Sequence, residues 1–311
     1  FNWNAAISQD PFDNSTVYFG SQFVHVSNDK GATWKIISPD LTTNDPEKQK
    51  QAESGGLTID ATGAENNTTI LAIAPSPVQQ GVLWVGTDDG LIQLSRDGGE
   101  NWTKITPPGI PNAGWVAQIK PSTYNAGEAF VVVNNYRNFD FKPYLFHTKD
   151  FGATWTNIVS EGQVWNYTLS FVQDPVEPKL MFLGSEGGLY VSIDGGKNWT
   201  QWDESYPKVS TMDLAIHPRE HDLVIGTYGR AAYVIDDIRP IRDMASKGKS
   251  VLEKKVVLFD PPEAYLTLNQ EPTGTRFGAD AIFNGENRPR GAMISYVVNK
   301  PEEKEDEEEE E

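Results

Sequence analysis

The chain has 311 residues and a net charge of −18, of which −8 comes from residues 302–311, nine acids around Lys304. The remainder is an ordinary acidic surface with no Lys/Arg cluster to displace counterions, so no nucleic-acid partner is expected. No apolar run approaches about 18 residues, so no membrane span is expected, and the absence of Cys removes disulfides, thiolate catalysis and Cys-ligated zinc.

Plentiful Gly, Pro and aromatic residues with few helix formers point to short strands and tight turns. In chain order, an alternating run at residues 23–26 leads into the octapeptide 27–34 (SNDKGATW). Runs at 71–75, 82–86 and 91–94 then lead into 95–102 (SRDGGENW). A run at 144–147 precedes 148–155 (TKDFGATW), and runs at 180–184 and 189–191 precede 192–199 (SIDGGKNW). All four octapeptides fit Ser/Thr-x-Asp-x-Gly-x-Thr/Asn-Trp. A short Asp side chain takes turn amides, Gly supplies positive φ, and Trp covers the hairpin. Asp29, Asp97, Asp150 and Asp194 are therefore expected to staple turns. Trp34, Trp102, Trp155 and Trp199 are expected to be largely buried.

Each repeat reads as four strands: strand, loop, strand, Gly turn, strand, octapeptide, strand. That pattern predicts an all-β chain, a β-propeller of about five four-stranded blades. A fifth unit at 209–237 keeps three strands but loses the octapeptide, and its fourth strand is expected at 255–259 after a helical or loop excursion at 241–254. The expected organisation is blades over 1–260, an exit segment over 261–300 leading to a following domain, and an acidic low-complexity tail over 301–311. The start at Phe1, close to a first strand, reads as a processed chain or a fragment. On that reading the blades are the C-terminal part of a larger propeller, and its remaining blades or a partner chain pack on the terminal ones.

The octapeptides resemble the Asp boxes, or bacterial neuraminidase repeats, of sialidases, sortilin-type receptors and xyloglucanase-type glycosidases. The stretches 14–20 (NSTVYFG), 37–42 (ISPDLT), 86–90 (GTDDG) and 138–144 (NFDFKPY) resemble more narrowly a family of large secreted bacterial repeat proteins, described as sortilin-like or glycosyl hydrolase-like. The resemblance implies a secreted, periplasmic or cell-surface protein, on a bacterial outer surface, with more propeller upstream and a β-sandwich downstream. A sialidase needs an arginine cluster, and nine Arg with no Arg-Ile-Pro start do not supply that pattern.

The loops between second and third strands, and the crossovers between blades, share the face opposite the octapeptides. On it fall Asp88, Asp89, Glu186, Arg230, and Asp60 and Glu65 of the long crossover. The long insert 134–142, with Arg137, Asp140 and Lys142, shares that face, as do Trp115 and Trp165. Arg137, Asp140, Lys142, Arg230, Trp115 and Trp165 are the expected binding residues. Each also has a plain structural reading, as hairpin turn or core aromatic. His217 and His221 have metal-ligand spacing, but Pro218 breaks the helix it requires, so no metal is expected. No cofactor fingerprint is present.

Two functions follow. The first is a non-catalytic, secreted or cell-surface propeller binding a protein, peptide or glycan through that face. The alternative is an inverting glycoside hydrolase of the xyloglucanase kind, pairing Asp88 or Asp89 with Glu65 or Glu186 across a cleft of about 6.5–9.5 Å.

Overall fold

The computed structural model describes residues 1–50, 66–264 and 291–299. The chain is a β-propeller built of consecutive antiparallel sheets, each with its strands in sequence order. The first sheet holds β1 (Ile7–Gln9), β2 (Val17–Gly20), β3 (Val24–Ser27) and β4 (Lys35–Ile36). The second holds β5 (Ile70–Pro75), β6 (Leu83–Thr87), β7 (Ile92–Ser95) and β8 (Thr103–Ile105). The third holds β9 (Trp115–Pro121), β10 (Ala129–Asn135), β11 (Asp140–Thr148) and β12 (Thr156–Asn157). The fourth holds β13 (Thr168–Gln173), β14 (Met181–Ser185), β15 (Gly188–Ser192) and β16 (Thr200–Trp202). The fifth has three strands, β17 (Thr211–Ile216), β18 (Leu223–Thr227) and β19 (Ala232–Ile235), followed by helix α1 (Arg239–Lys247).

One expectation is corrected here. The segment 255–259 does not complete the fifth sheet: its strand β20 (Val256–Leu258) pairs antiparallel with β21 (Tyr296–Val298) as a separate ribbon. The excursion before it is helical, as α1. The acidic tail 301–311 and most of the exit segment lie outside the described residues.

The same polar device closes the turn between the first two strands of each of the five successive sheets. Asp10, Ser76, Ser122, Asp174 and His217 each accept turn amides, from Phe12 and Asp13, Val78 and Gln79, Tyr124, Val176 and Glu177, and Arg219 and Glu220. His217 thus uses Nδ1 on its own turn, and His221 Nδ1 lies 2.8 Å from Arg242 Nη1. Capping by side-chain acceptors is what the turn backbone needs once its amides leave the sheet.

The octapeptides close the other turn on the same face. Asp29 accepts the Thr33 amide at 2.8 Å, the Thr33 hydroxyl at 2.6 Å and the Ser27 hydroxyl at 2.7 Å. Asp97, Asp150 and Asp194 repeat the pattern with Asn101, Thr154 and Asn198. The Thr33 hydroxyl and amide hold the Asp29 carboxyl down at about 2, and Asn101 does the same for Asp97. Each of these carboxylates is spent on the amides and hydroxyls of its own turn.

The tryptophans divide. Trp199 is 6% exposed, but Trp34 is 44% exposed, and Trp102 and Trp155 are half-buried. The expectation that all four are buried fails at Trp34 because each octapeptide packs on the preceding sheet. Trp102 Nε1 donates to Ile37 O and Trp199 Nε1 to Ile158 O, while Trp155 packs edge-on to Trp84. Trp34 belongs to the first sheet, and its contacts among the described residues, with Phe19 and Gly31 O, stay within that sheet.

Apolar burial lies in four clusters among the described residues, one at each seam between neighbouring sheets. The first joins Tyr18 and Val24 to Ile70 and Val85, and the second joins Trp84 and Ile92 to Val116 and Phe146. The third joins Phe130 and Leu145 to Phe171 and Leu183, and the fourth joins Phe182 and Leu189 to Leu214, Ile225 and Ile241 of α1. Close approach at the seams after the first, second and fourth sheets requires Gly late in the second strand. A Cβ on Gly86 would lie 2.3 Å from Val116 Cγ1, and one on Gly184 would lie 2.4 Å from Thr211 O. The equivalent Gly226 has only its own sheet's Asp213, at 3.8 Å. The outward row of the fifth sheet, with Val224 and Val234, is exposed accordingly.

Candidate functional site

Strand alternation sends the capped turns to one face and the second-to-third-strand turns, with the crossovers, to the other. On that second face the residue after the Gly-Thr/Ser step of the second, fourth and fifth sheets returns an amide to the lead-in of its own sheet. Asp88 N donates to Thr69 O at 3.0 Å, Glu186 N to Tyr167 O at 3.1 Å, and Tyr228 N to Ser210 O at 3.0 Å. Asp88, Glu186 and Tyr228 therefore hold equivalent places in successive sheets.

Asp88 is buried, and its carboxyl accepts the Thr69 amide at 2.8 Å and the Thr69 hydroxyl at 2.9 Å. Burial pushes it up to about 7; the Thr69 hydrogen bonds pull the other way and the Asp89 charge adds to the rise. Asp89 is also buried, but it works as an anchor. It accepts the Thr43 amide and hydroxyl, both at 2.7 Å, and the Thr87 hydroxyl at 2.5 Å, tying the first crossover to the second sheet. As read from the sequence, Asp88 and Asp89 form a hairpin turn.

The insert at 134–142 differs from the long loop expected. Strands β10 and β11 extend into it, pairing Asn135 with Asp140, and leave one 3-10 turn, Tyr136–Asn138, with Phe139 left-handed at φ 58°. Alternation along the extended arms explains this, because Asp140 turns inward to accept the Tyr144 hydroxyl at 2.8 Å and the Asn135 amide at 3.1 Å. Asp140 is thus a brace for the hairpin rather than a free contact, while Phe139, Phe141 and Lys142 are exposed.

From this hairpin a stacked ladder runs across the face. The Arg137 guanidinium carbon lies 3.7 Å from the centre of the Trp115 ring and 4.5 Å from that of Tyr136. Tyr136 stacks on Tyr167 at 4.7 Å and 24°, and Phe141 reaches Tyr167 at 6.3 Å. Tyr167 then donates its hydroxyl to Glu186 at 3.0 Å, and Ser210 donates to the same carboxylate oxygen at 2.6 Å. Arg137, Trp115 and Glu186, picked out separately in the sequence, thus share one arrangement that spans the third, fourth and fifth sheets.

Beside the Trp115 end opens a pocket lined by Lys48, Asn67, Asp88, Ala113, Trp115, Asn134, Asn135, Arg137 and Asn138. Asp88 is the carboxyl among its described lining residues. Asn67 and Asn134 are 6% and 3% exposed, and the Oδ1 of each accepts no hydrogen bond among the described residues. Buried amide oxygens without donors are uncommon and mark capacity for a ligand or water.

Trp165 stands apart from this pocket, 65% exposed, with the plane of Gly187 against its ring. It is not the core aromatic that a blade-start Trp usually is. Arg230 is exposed on the fifth sheet's turn, next to Tyr228. Glu65 and Asp60 lie outside the described residues. Sequence reading missed Lys48, Asn67 and Tyr167. Position was the available signal for the last two, since both fall just before a first strand on the crossover face.

No protein-family profile matches the chain. It is 25% identical over 217 residues to the oligoxyloglucan-reducing end-specific xyloglucanase of Emericella nidulans, covering 66% of this chain and 25% of that protein. It is 29% identical over 167 residues to a probable enzyme of the same name from Neosartorya fischeri, covering 50% of this chain and 19% of that one. The chain thus spans about a quarter or less of the length of these relatives. Among solved structures, an ancestral GH74 enzyme superposes with a TM-score of 0.53 at 19% identity, over 71% of this chain and 27% of that one. The GH74 enzyme of Niastella koreensis superposes with a TM-score of 0.54 at 17% identity, over 85% and 41%. These likenesses establish the β-propeller fold. Among the described residues no helix is long and apolar enough to cross a membrane.

Proposed function

We propose that this chain forms ligand-bearing blades of a secreted or cell-surface β-propeller that binds glycan chains, in a protein of the glycoside-hydrolase kind its xyloglucanase relatives represent. The observation that carries the reading is the ladder Trp115–Arg137–Tyr136–Tyr167 beside a pocket with unpartnered amide acceptors. Sugars present apolar C–H faces and a rim of hydroxyls. Aromatic faces flanked by amide oxygens and cationic donors match both features. The relatives favour a glycan over the protein or peptide ligands that the sequence also left open. The octapeptide repeats support assignment to the Asp-box proteins, and the bared rows of the first and fifth sheets support packing of further blades or a partner chain there.

Hydrolysis is a second reading, favoured by Asp88. A buried carboxyl raised to about 7 is held in the protonated form that a general acid needs near neutrality. Its inverting partner is not among the described lining residues of the pocket.

Calorimetry with xyloglucan, mixed-linkage glucan and pectic oligosaccharides tests binding, and reducing-sugar release tests hydrolysis. Trp115→Ala should weaken binding about two- to tenfold, the worth of one aromatic contact. Binding of no oligosaccharide by the folded chain would sink the reading. Turnover that vanishes in Asp88→Asn would select the hydrolase.

A further inference from the structure

Helix α1 is tied to the turns of two sheets through Arg242. This buried side chain donates Nε to both carboxylate oxygens of Asp174, at 3.0 and 2.8 Å, in the turn between β13 and β14. Its Nη1 lies 2.8 Å from Nδ1 of His221, in the turn between β17 and β18. The carbonyl of His221, a residue left-handed at φ 62°, also accepts the Ile238 amide at 2.8 Å, just before the helix. Beneath the helix, Ile238, Ile241 and Ala245 are buried against Leu214, Leu223 and Ile225.

A guanidinium has donors and no acceptor, so Nδ1 of His221 must be the acceptor and the ring must be the neutral Nε2–H tautomer. A proton added at Nδ1 would turn an N–H toward an N–H and set two cations side by side. Arg242 Nη2 is buried without a hydrogen-bond partner among the described residues, so the Asp174 carboxylate and this imidazole carry the contact. Burial first, then Arg242 and Arg239 of α1, hold the ring below the ordinary His value, against the pull of Asp237 and Asp174. On the same turn Glu220 pairs with Arg219, Asp222 accepts the Asp237 amide, and His217 uses Nδ1 on the amides of Arg219 and Glu220. The corresponding turns of the other four sheets contain no His.

We infer that His221 is an acid-sensitive latch for α1: its neutral ring holds Arg242 and the helix to the propeller, and a proton taken up at Nδ1 releases them. A ring that binds its proton less readily latched than released favours release as pH falls below about 6.5. The latch does not depend on the glycan reading.

Hydrogen exchange of the full chain, followed by mass spectrometry at pH 7.5 and 5.5 and corrected for intrinsic rates, tests it. Relative to β14, protection of the α1 amides should fall about three- to tenfold at the lower pH, the effect of a ring of ordinary value near 6.5 that gains its proton on release. His221→Asn offers Oδ1 to Arg242 but cannot take up a proton there, and its α1 protection should stay level. His217→Asn keeps an acceptor for its turn and should show the wild-type fall. In the wild type at pH 7.5, ring-nitrogen shifts should report the Nε2–H tautomer of His221. Level α1 protection in the wild type, the same fall in His221→Asn, or an Nδ1–H tautomer would overturn the latch. A fall abolished in His217→Asn alone would also overturn it and move the sensor to the turn cap.

Discussion

Replacing Asp88 by Asn removes a titration that the fold has displaced without removing the side chain's shape. The carboxyl is buried against Thr69 and pushed up to about 7, from an ordinary Asp value near 4. An acid whose pKa is higher folded than unfolded gives stability that is complete below the unfolded value. That stability is lost as pH rises through the folded one. A span of about three pH units corresponds to about 4 kcal/mol, and about 3 kcal/mol of it falls between pH 5 and 8. The carboxamide of the variant cannot ionise, and its oxygen can still accept the Thr69 amide. Urea denaturation of both proteins at pH 5, 6, 7 and 8 measures the effect. The stability of wild type minus that of Asp88→Asn should fall by about 3 kcal/mol across the series, while contributions from the histidines cancel in the difference. A difference that stays flat with pH would refute the claim that Asp88 is held protonated.

Trp199→Ala should cost about 3–5 kcal/mol, whereas Trp34→Ala, at an exposed side chain, should cost under about 1 kcal/mol in this chain; thermal denaturation of the two compares them directly. Gly184→Ala should destabilise strongly, because its Cβ would meet Thr211 O at 2.4 Å, while Gly226→Ala should be neutral or slightly stabilising. Equal effects of those two substitutions would mean that the seams are looser than their geometry. Arg242→Met should cost about 3–5 kcal/mol in urea denaturation, since Arg242 Nε donates to both carboxylate oxygens of buried Asp174 and its loss leaves that carboxylate without a countercharge, with only its turn amides.

The repeat makes most of the fold legible. Four octapeptides with the runs just before them locate the third and fourth strands of the first four sheets, because each turn must solve the same backbone problem with the same short acceptors. The placement of strand 255–259 fails since its Val-Val-Leu run has strand character but nothing local to name its partner, which arrives from Tyr296–Val298. The exposure of Trp34 is illegible for a similar reason. An octapeptide specifies its own turn, yet burial of its Trp depends on the neighbouring sheet. At the site, Trp115, Arg137 and Asp88 can be picked out by type and by face. Their stacking through Tyr136 onto Tyr167 depends on how far β10 and β11 extend, and insert length alone reads as loop. Lys48 and Asn67 enter from crossovers whose path no periodic pattern sets.

Because each apolar cluster belongs to two sheets at once, no sheet has a core that it could keep if its neighbour left. Stability then behaves as a chain of nearest-neighbour couplings, in the manner of stacked repeats. Among the described residues the first and fifth sheets share one such cluster each and the middle three share two. In the chain taken by itself, with nothing packed on the first and fifth sheets, amide exchange should accordingly be slowest in β10 and β14 and quicken toward β1 and β19. The ladder and its pocket, centred on the third sheet and reaching toward the fourth, occupy the stretch that opens last.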